Sequence, residues 1–425
     1  MPLATFEIGD KKRLMRILLL SQHYGPEPMT KVNELAEDLV ASGHEVTCLT
    51  GFPNYPSGKL YPNYRLRPWT IEWENGVRVV RTFLLPSASK NKIRYSINLA
   101  SFAVSASILG PLLSKSVDVI YVRHPPLTQG LPALILKYLR RAPLVYAMHD
   151  LWPESIAELG MIKNRTILSA LDRFERFLMR RADIVGLSSL GFVPNITGKG
   201  VPQEKIRILP DWVDERIYHE ADESPEIVQK YGMSGKVNIV FAGNMGFVQN
   251  LDTILDGAKI LSKSAPSVQI LMVGNGLERE RLEKRSLDES MPNVRFTGSV
   301  APELAADIFR AADGLLVHVR SGLFANSSIA SKTYSYMAVG KPILMGAAGT
   351  SRAIVEDNQL GLAFEPGNPK SFADVVMKLT NLSEMDRQGI AKRGRELFLS
   401  KYSRSAGVAQ HEELFRQMVD KRETH

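Results

Sequence analysis

The chain has 425 residues, 44% hydrophobic and 23% charged, which exceeds what one core organises and is ordinary for globular domains, so two domains are expected. A single cysteine, Cys48, excludes an internal disulfide and a cysteine-built zinc site. The formal net charge of +8 points to an anionic partner, but no basic helix interleaved with aromatics occurs, so nucleic acid is not the expected one.

No apolar stretch precedes Lys11, so the start does not read as a signal peptide. Arg16–Ser21 is a short apolar run, which predicts a buried parallel strand. Val32, Leu35, Ala36, Leu39 and Val40 form a helical stripe ending at Gly43, and His44–Leu49 is the next strand, with Cys48 in its core. Further strands are predicted over 77–83, 117–122, 144–148, 183–188 and 206–209, with an amphipathic helix over 167–181. The uncharged run 95–114 is broken by Ser96, Asn98, Ser101, Ser105, Ser107 and Pro111, which is weak for a membrane span. Lys90, Lys92 and Arg94 precede it and Lys115 follows. The segment 90–115 therefore reads either as a helix packed on the sheet with basic flanks or as one lying on an anionic membrane surface.

A second alternating series begins at 237. Strands are predicted over 237–243, 267–273, 294–298, 314–319, 342–345 and 361–364, with helices over 251–264, 278–286, 302–311, 351–356 and 371–379 between them. Two βα series predict two doubly wound α/β domains, with ligands beyond the C-terminal ends of the strands and between the domains. Pro, Asp and Glu gather over 210–225, the expected linker.

The densest signal is Ser331-Lys332-Thr333-Tyr334-Ser335-Tyr336-Met337-Ala338-Val339-Gly340-Lys341-Pro342. It reads as an N-cap, a lysine in the first turn, a helix and a glycine stop. A lysine beside free backbone N–H groups suits an anionic ligand, since it otherwise faces the positive end of the helix dipole. The same pattern also describes a solvated lysine in a βα loop. Gly243-Asn244-Met245-Gly246 follows a buried strand and suits either a ligand's close approach or a tight turn. Neither series carries a Gly-x-Gly-x-x-Gly after its first strand, and Gly274-Asn275-Gly276 lacks the third glycine, which argues against a dinucleotide fingerprint. His149-Asp150-Leu151-Trp152-Pro153-Glu154-Ser155 follows a strand, where a histidine serves a sugar or a proton, or simply the fold; Asp150 and Glu154 are alternatively helix caps. The loops around Tyr24, Gly25 and Glu27, and around Asn54 and Tyr55, are candidate acceptor contacts. No metal-ligand constellation appears, so metal-independent chemistry is expected.

Taken together, these segments resemble the retaining family 4 glycosyltransferases of the GT-B fold, along nearly the whole chain. The resemblance is carried by "ASGHEVTCLTGFPNYPSGK" at 41–59, "HDLWPES" at 149–155, "ILPDWVD" at 208–214, "FAGNMGFVQN" at 241–250, "MVGNGLERERLE" at 272–283 and "SKTYSYMAVGKPIL" at 331–344. It is nearest to the branch that builds bacterial O-antigen and capsule repeats, including N-acetyl-L-fucosamine transferases. It implies an acceptor-binding domain over 1–215, a nucleotide-sugar-binding domain over 216–400 and a helix from 401 that crosses back. It also implies a cytoplasmic enzyme, at the inner membrane face where its glycan acceptor is lipid-linked.

By this resemblance His149 and Lys332 are catalytic. Gly25, Gly243, Asn244, Gly246, Gly274, Arg320, Ser331, Ser335 and Thr350 bind the donor, a UDP-sugar. Two departures stand out. The family's Glu, seven residues, then Glu pattern falls on Ser327 and Ser335, and its Arg and Lys after the glycine at 243 fall on Asn244 and Gln249. The diphosphate charge then rests on Lys332, with Arg320 or the helix start. The alternatives are a UDP-sugar 2-epimerase of the same fold and a non-catalytic nucleotide-sugar-binding partner.

Overall fold

The computed structural model describes residues 13–87, 92–158 and 160–423. Lys11 and Lys90, named above, lie outside the described residues.

Fourteen strands are described, in chain order: β1 (Arg16–Leu20), β2 (Glu45–Gly51), β3 (Trp69–Glu74), β4 (Val77–Thr82), β5 (Val119–His124), β6 (Leu144–Met148), β7 (Ile184–Leu187), β8 (Ile206–Ile208), β9 (Val237–Ala242), β10 (Val268–Val273), β11 (Val294–Gly298), β12 (Gly314–His318), β13 (Ile343–Gly346) and β14 (Gly361–Ala363). The first eight form one sheet in the order β3-β4-β2-β1-β5-β6-β7-β8, and the last six form another in the order β11-β10-β9-β12-β13-β14. All neighbours pair in parallel except β3 with β4. In each sheet the order reverses beside the first strand of the series, which opens a crevice at the strands' C-terminal ends. The central strands are buried on both faces, which is why they read as unbroken apolar runs.

Each sheet carries a core on both faces. In the first, Leu18, Leu49 and Val80 pack under Phe102 and Ala106 of the helix Lys92–Leu113, while Ile17, Leu19, Val46 and Val79 pack under the helix Thr30–Ala41 and the last helix, Arg404–Glu423. In the second, Tyr336 and Phe309 lie on one face and Phe241, Leu255 and Phe372 on the other. Phe398 closes the Tyr336 side, so the chain up to 398 belongs to the second core.

The last helix returns to the first domain. It begins at Arg404 rather than 401, because Phe398–Tyr402 forms a single π-helical turn that redirects the chain. Arg404 clamps Asp38 through both carboxylate oxygens, at 2.6 and 2.7 Å, and Gly407 lets the helix approach the buried Trp212 ring. The two crossings between domains run side by side: Val213 N–H donates to Tyr402 O and Arg404 N–H to Val213 O, each at 3.0 Å.

Elements beyond the sequence expectations include β3 and the helices Gly130–Arg140 and Glu384–Leu397. β3 alternates apolar and polar residues, but Trp69, Ile71 and Trp73 turn away from the core.

Candidate active site

A cleft of about 790 Å³ opens where the C-terminal ends of both sheets meet. Its walls are the residues that follow strands: His149 after β6, Ser188 after β7, Gly243 and Asn244 after β9, Gly274 and Asn275 after β10, Ser299 and Val300 after β11, and Val319 after β12. Ser331, Lys332 and Ser335 enter from the helix Lys332–Val339. Predicted residues from both domains are thus brought together.

Lys332 sits in the first helical turn, and Gly340 ends the helix with φ +69°. Ser331 makes no side-chain cap, so the first backbone N–H groups keep no side-chain acceptor. The Lys332 ammonium lies 3.7 Å from the centroid of the Phe241 ring, and no carboxylate comes within 4 Å of it among the described residues. Burial pulls its pKa down to about 7. A Cβ on Gly243 would stand 3.3 Å from the ammonium nitrogen, where φ is +129°, so glycine there leaves space and conformation together. A Cβ on Gly274, also at φ +129°, would fall 2.0 Å from Gly243 O; the two strand-end turns touch backbone to backbone to make the floor.

The opposite wall is charge-matched. Arg123 NH1 donates to His149 Nε2 at 2.8 Å, and its NH2 donates to Asp211 Oδ1 at 2.8 Å. Since Arg123 has only protons to offer, Nε2 carries the lone pair and the ring is the neutral Nδ1–H tautomer. Nδ1 lies 3.2 Å from Asp211 Oδ1, too oblique for a well-formed hydrogen bond. Burial and the neighbouring Arg123 push the His149 pKa down. Asp211 is held well below the carboxylate range: Arg123 and His149 outweigh its burial. Behind His149, burial raises the Asp150 pKa, and its Oδ1 is buried without a hydrogen-bond partner. Glu154 pairs with the buried Lys199 at 2.7 Å.

Ser335 is buried and lines the cleft together with Tyr218, whose ring stacks on Phe309 at 6.1 Å. Val300, Pro302, Ala305 and Phe309 make an apolar slot beside this pair. Ser327 turns its hydroxyl back to Leu323 O at 2.8 Å, and its carbonyl takes the hydroxyl proton of Ser189 from the other domain. That position is an interdomain strut.

Several expected contacts lie elsewhere. Tyr24 is buried in the first domain's core. Glu27 is buried too; its Oε1 accepts the Asn54 and Tyr55 N–H groups at 2.6 and 2.7 Å and its Oε2 faces His23, so it ties two loops together. Asn54 is spent on Phe52 O and Asn98. Tyr55 stays half-buried against the His23 ring at 5.2 Å. Gly25 is buried; its N–H meets Asn33 and its carbonyl takes Arg81 at 2.6 Å. Gly246 lies outside the cleft lining, with its N–H on Gln249 Oε1. The Arg320 guanidinium stacks 3.9 Å from the exposed Phe247 ring and bonds Asn250, outside the lining. Thr350 faces Gly191 across the domain joint. Arg123, Asp211 and Tyr218 carried no role in the sequence reading, although Asp211 lies inside the "ILPDWVD" segment. A polar residue ending or following a predicted strand was the available signal.

Comparison with known proteins agrees with this geometry. Residues 28–212 match the family described as glycosyl transferase 4-like domain, and residues 223–396 match glycosyl transferases group 1. The chain is similar to the putative colanic acid biosynthesis glycosyl transferase WcaI of Escherichia coli strain K12, 28% identical over 367 residues, 83% of this chain and 87% of that protein. It is similar to the probable glycosyltransferase WbjE of Pseudomonas aeruginosa, 23% identical over 329 residues, 76% of this chain and 80% of that one. Among solved structures, sucrose-phosphate synthase from Thermosynechococcus elongatus superposes with a TM-score of 0.71 at 19% identity, over 96% of this chain and all of that one. HepE from Anabaena, in complex with UDP and glucose, gives 0.68 at 16% identity, over 95% and 99%.

Proposed function

Because the chain is a hexosyltransferase-type glycosyltransferase of the GT-B fold, a glycosyl transferase 4-like domain followed by a group 1 domain, we propose that it moves a sugar from a UDP-sugar to a bacterial surface-polysaccharide acceptor, with the anomeric configuration retained. The sugar we favour is an N-acetylated deoxyhexosamine, and the acceptor a lipid-linked glycan at the cytoplasmic membrane face. The observation that carries the reading is Lys332, a half-buried cation with no carboxylate within 4 Å among the described residues, set at a helix start in the interdomain cleft. The names of WcaI and of the UDP-bound HepE structure support the polysaccharide and the nucleotide.

In this mechanism the base enters the slot of Val300, Pro302 and Phe309, and Ser335 with Tyr218 faces the ribose where the family places a glutamate. The diphosphate lies on Lys332 at the positive end of its helix, and no metal is needed to hold it. As the glycosidic bond breaks, charge grows on the departing phosphate oxygen, and Lys332 stabilises it. Positive charge grows at the anomeric carbon, where a neutral His149 repels it less than an imidazolium would. Asp211 is the one carboxylate lining the cleft among the described residues, and two partners already hold it. A covalent glycosyl intermediate on it would first cost those contacts, so we favour attack by the acceptor hydroxyl on the leaving-group face, its proton passing to the departing phosphate.

The test is incubation with UDP-sugars and a lipid-linked or synthetic glycan acceptor, with the product's anomeric configuration read by NMR. A glycoside of unchanged configuration supports the reading. An inverted product removes the retaining step. Isomerised donor formed without acceptor assigns an epimerase instead.

A further inference from the structure

The first domain's sheet ends in a hairpin whose outer strand is unusually apolar on its solvent side. In the β3–β4 register Trp69 pairs with Thr82, Ile71 with Val80 and Trp73 with Arg78. Directly opposed residues share a face. Thr82 bonds Ser105 and Arg78 bonds Leu113 O, both on the helix Lys92–Leu113, and Val80 packs in the core beneath it. The two tryptophans and Ile71 therefore stand on the same side of the sheet as that helix, one strand beyond its cover.

The helix itself is apolar on two sides. Leu99, Phe102, Ala103 and Ala106 are buried against the sheet. On the outer side Ile93, Ile97, Ala100, Val104, Ile108 and Leu112 recur at spacings of three and four, one stripe along its length. Ile93 and Leu112 are 75% and 74% exposed, and Trp73 66%. Between helix and hairpin runs a groove of about 770 Å³ walled by Leu66, Pro68, Phe83, Ile97, Val104 and Ile108. Stripe, groove and tryptophans make one continuous apolar face, of the kind that water-soluble surfaces avoid.

Charge identifies what covers it. Arg65, Arg67 and Lys115 border the face, exposed, with no carboxylate within 4 Å among the described residues. The nearby acids of β3, Glu72 and Glu74, are turned to the opposite side of the sheet, where both hold the buried Arg81. An apolar ridge with tryptophans and an all-basic rim matches the headgroup boundary of an anionic bilayer. The helix is long and apolar enough to span a membrane, but its inner side is part of the domain core, so it lies in the interface and does not cross.

We infer that the helix Lys92–Leu113 and the β3 hairpin together form a monotopic docking face for an anionic lipid bilayer. The inference stands whatever the donor or acceptor proves to be.

Flotation of the full chain with phosphatidylglycerol-containing vesicles, against pure phosphatidylcholine vesicles, tests it. Wild type binds the anionic vesicles, with a blue shift of tryptophan emission. The double variant Trp69→Ser and Trp73→Ser loses about tenfold or more in vesicle affinity, and so does Ile108→Ser with Leu112→Ser. Arg65→Ser with Arg67→Ser weakens binding to anionic vesicles by about fivefold per charge and leaves phosphatidylcholine unaffected. A melting temperature unchanged in every variant shows that each is folded. Absence of binding to anionic vesicles by wild type overturns the proposal, as does binding indifferent to the serine variants. A concentration-dependent dimer in sedimentation that those variants dissolve gives the face to a second copy instead.

Discussion

The two walls of the cleft solve opposite electrostatic problems. On the first domain's side, Arg123 bonds both His149 and Asp211 and matches the Asp211 charge. On the second domain's side, Lys332 has an aromatic face for company and no carboxylate. A closed charge set holds a ring in place before anything binds. An open one is stabilised only when an anion arrives. One wall is therefore built for position and the other for charge, and substitutions should separate the two.

The largest effect is expected from Lys332→Ala, on the order of 100- to 1,000-fold in kcat, with melting temperature unchanged or raised, since a half-buried cation with no carboxylate partner is removed. A near-normal rate would take Lys332 out of the reaction. Asp211→Asn attacks the other wall. It removes the negative charge that Arg123 and His149 face while keeping an amide oxygen, and we expect about 10- to 100-fold in kcat from a misplaced ring. Because both charges are partly solvated, the stability lost is about 1–2 kcal/mol, less than for a fully buried pair; a urea melt measures it. A loss of stability without a loss of rate would make the set purely structural.

The pH dependence of UDP binding sharpens the comparison next. The Lys332 pKa is near 7 in the empty cleft, and a diphosphate raises it. Binding then takes up a proton, so affinity falls as pH rises above about 7, by up to about tenfold per unit. Calorimetry in buffers of different ionisation enthalpy reads the proton directly, and Lys332→Ala should flatten the profile. The smallest effect belongs to Ser335→Ala, about 1 kcal/mol in donor affinity or a few-fold in KM. A larger loss would give Ser335 the full burden of the family's glutamate.

The parallel strands were legible because burial on both faces leaves nothing but apolar residues. The β3 strand was not, because its apolar residues face outward and its carboxylates face Arg81. His149, Gly243, Gly274 and Lys332 were legible as strand ends and a helix start. Arg123 and Asp211 were not, since 88 positions separate them and only the sheet order makes them neighbours. Tyr24, Glu27 and Asn54 sit in loops that look exposed in sequence, but each has an internal partner or core contact that a linear reading does not show.

The paired crossings at Val213 and Ser403 set the mechanics of the molecule. Two separate tethers would let the halves twist and slide as well as open. Hydrogen-bonded to each other, they behave as a strap: supple across its width, stiff along its length and against torsion. The jaws then have one easy motion, opening and shutting about a line through 213 and 403, and each return brings Lys332 back into register with His149.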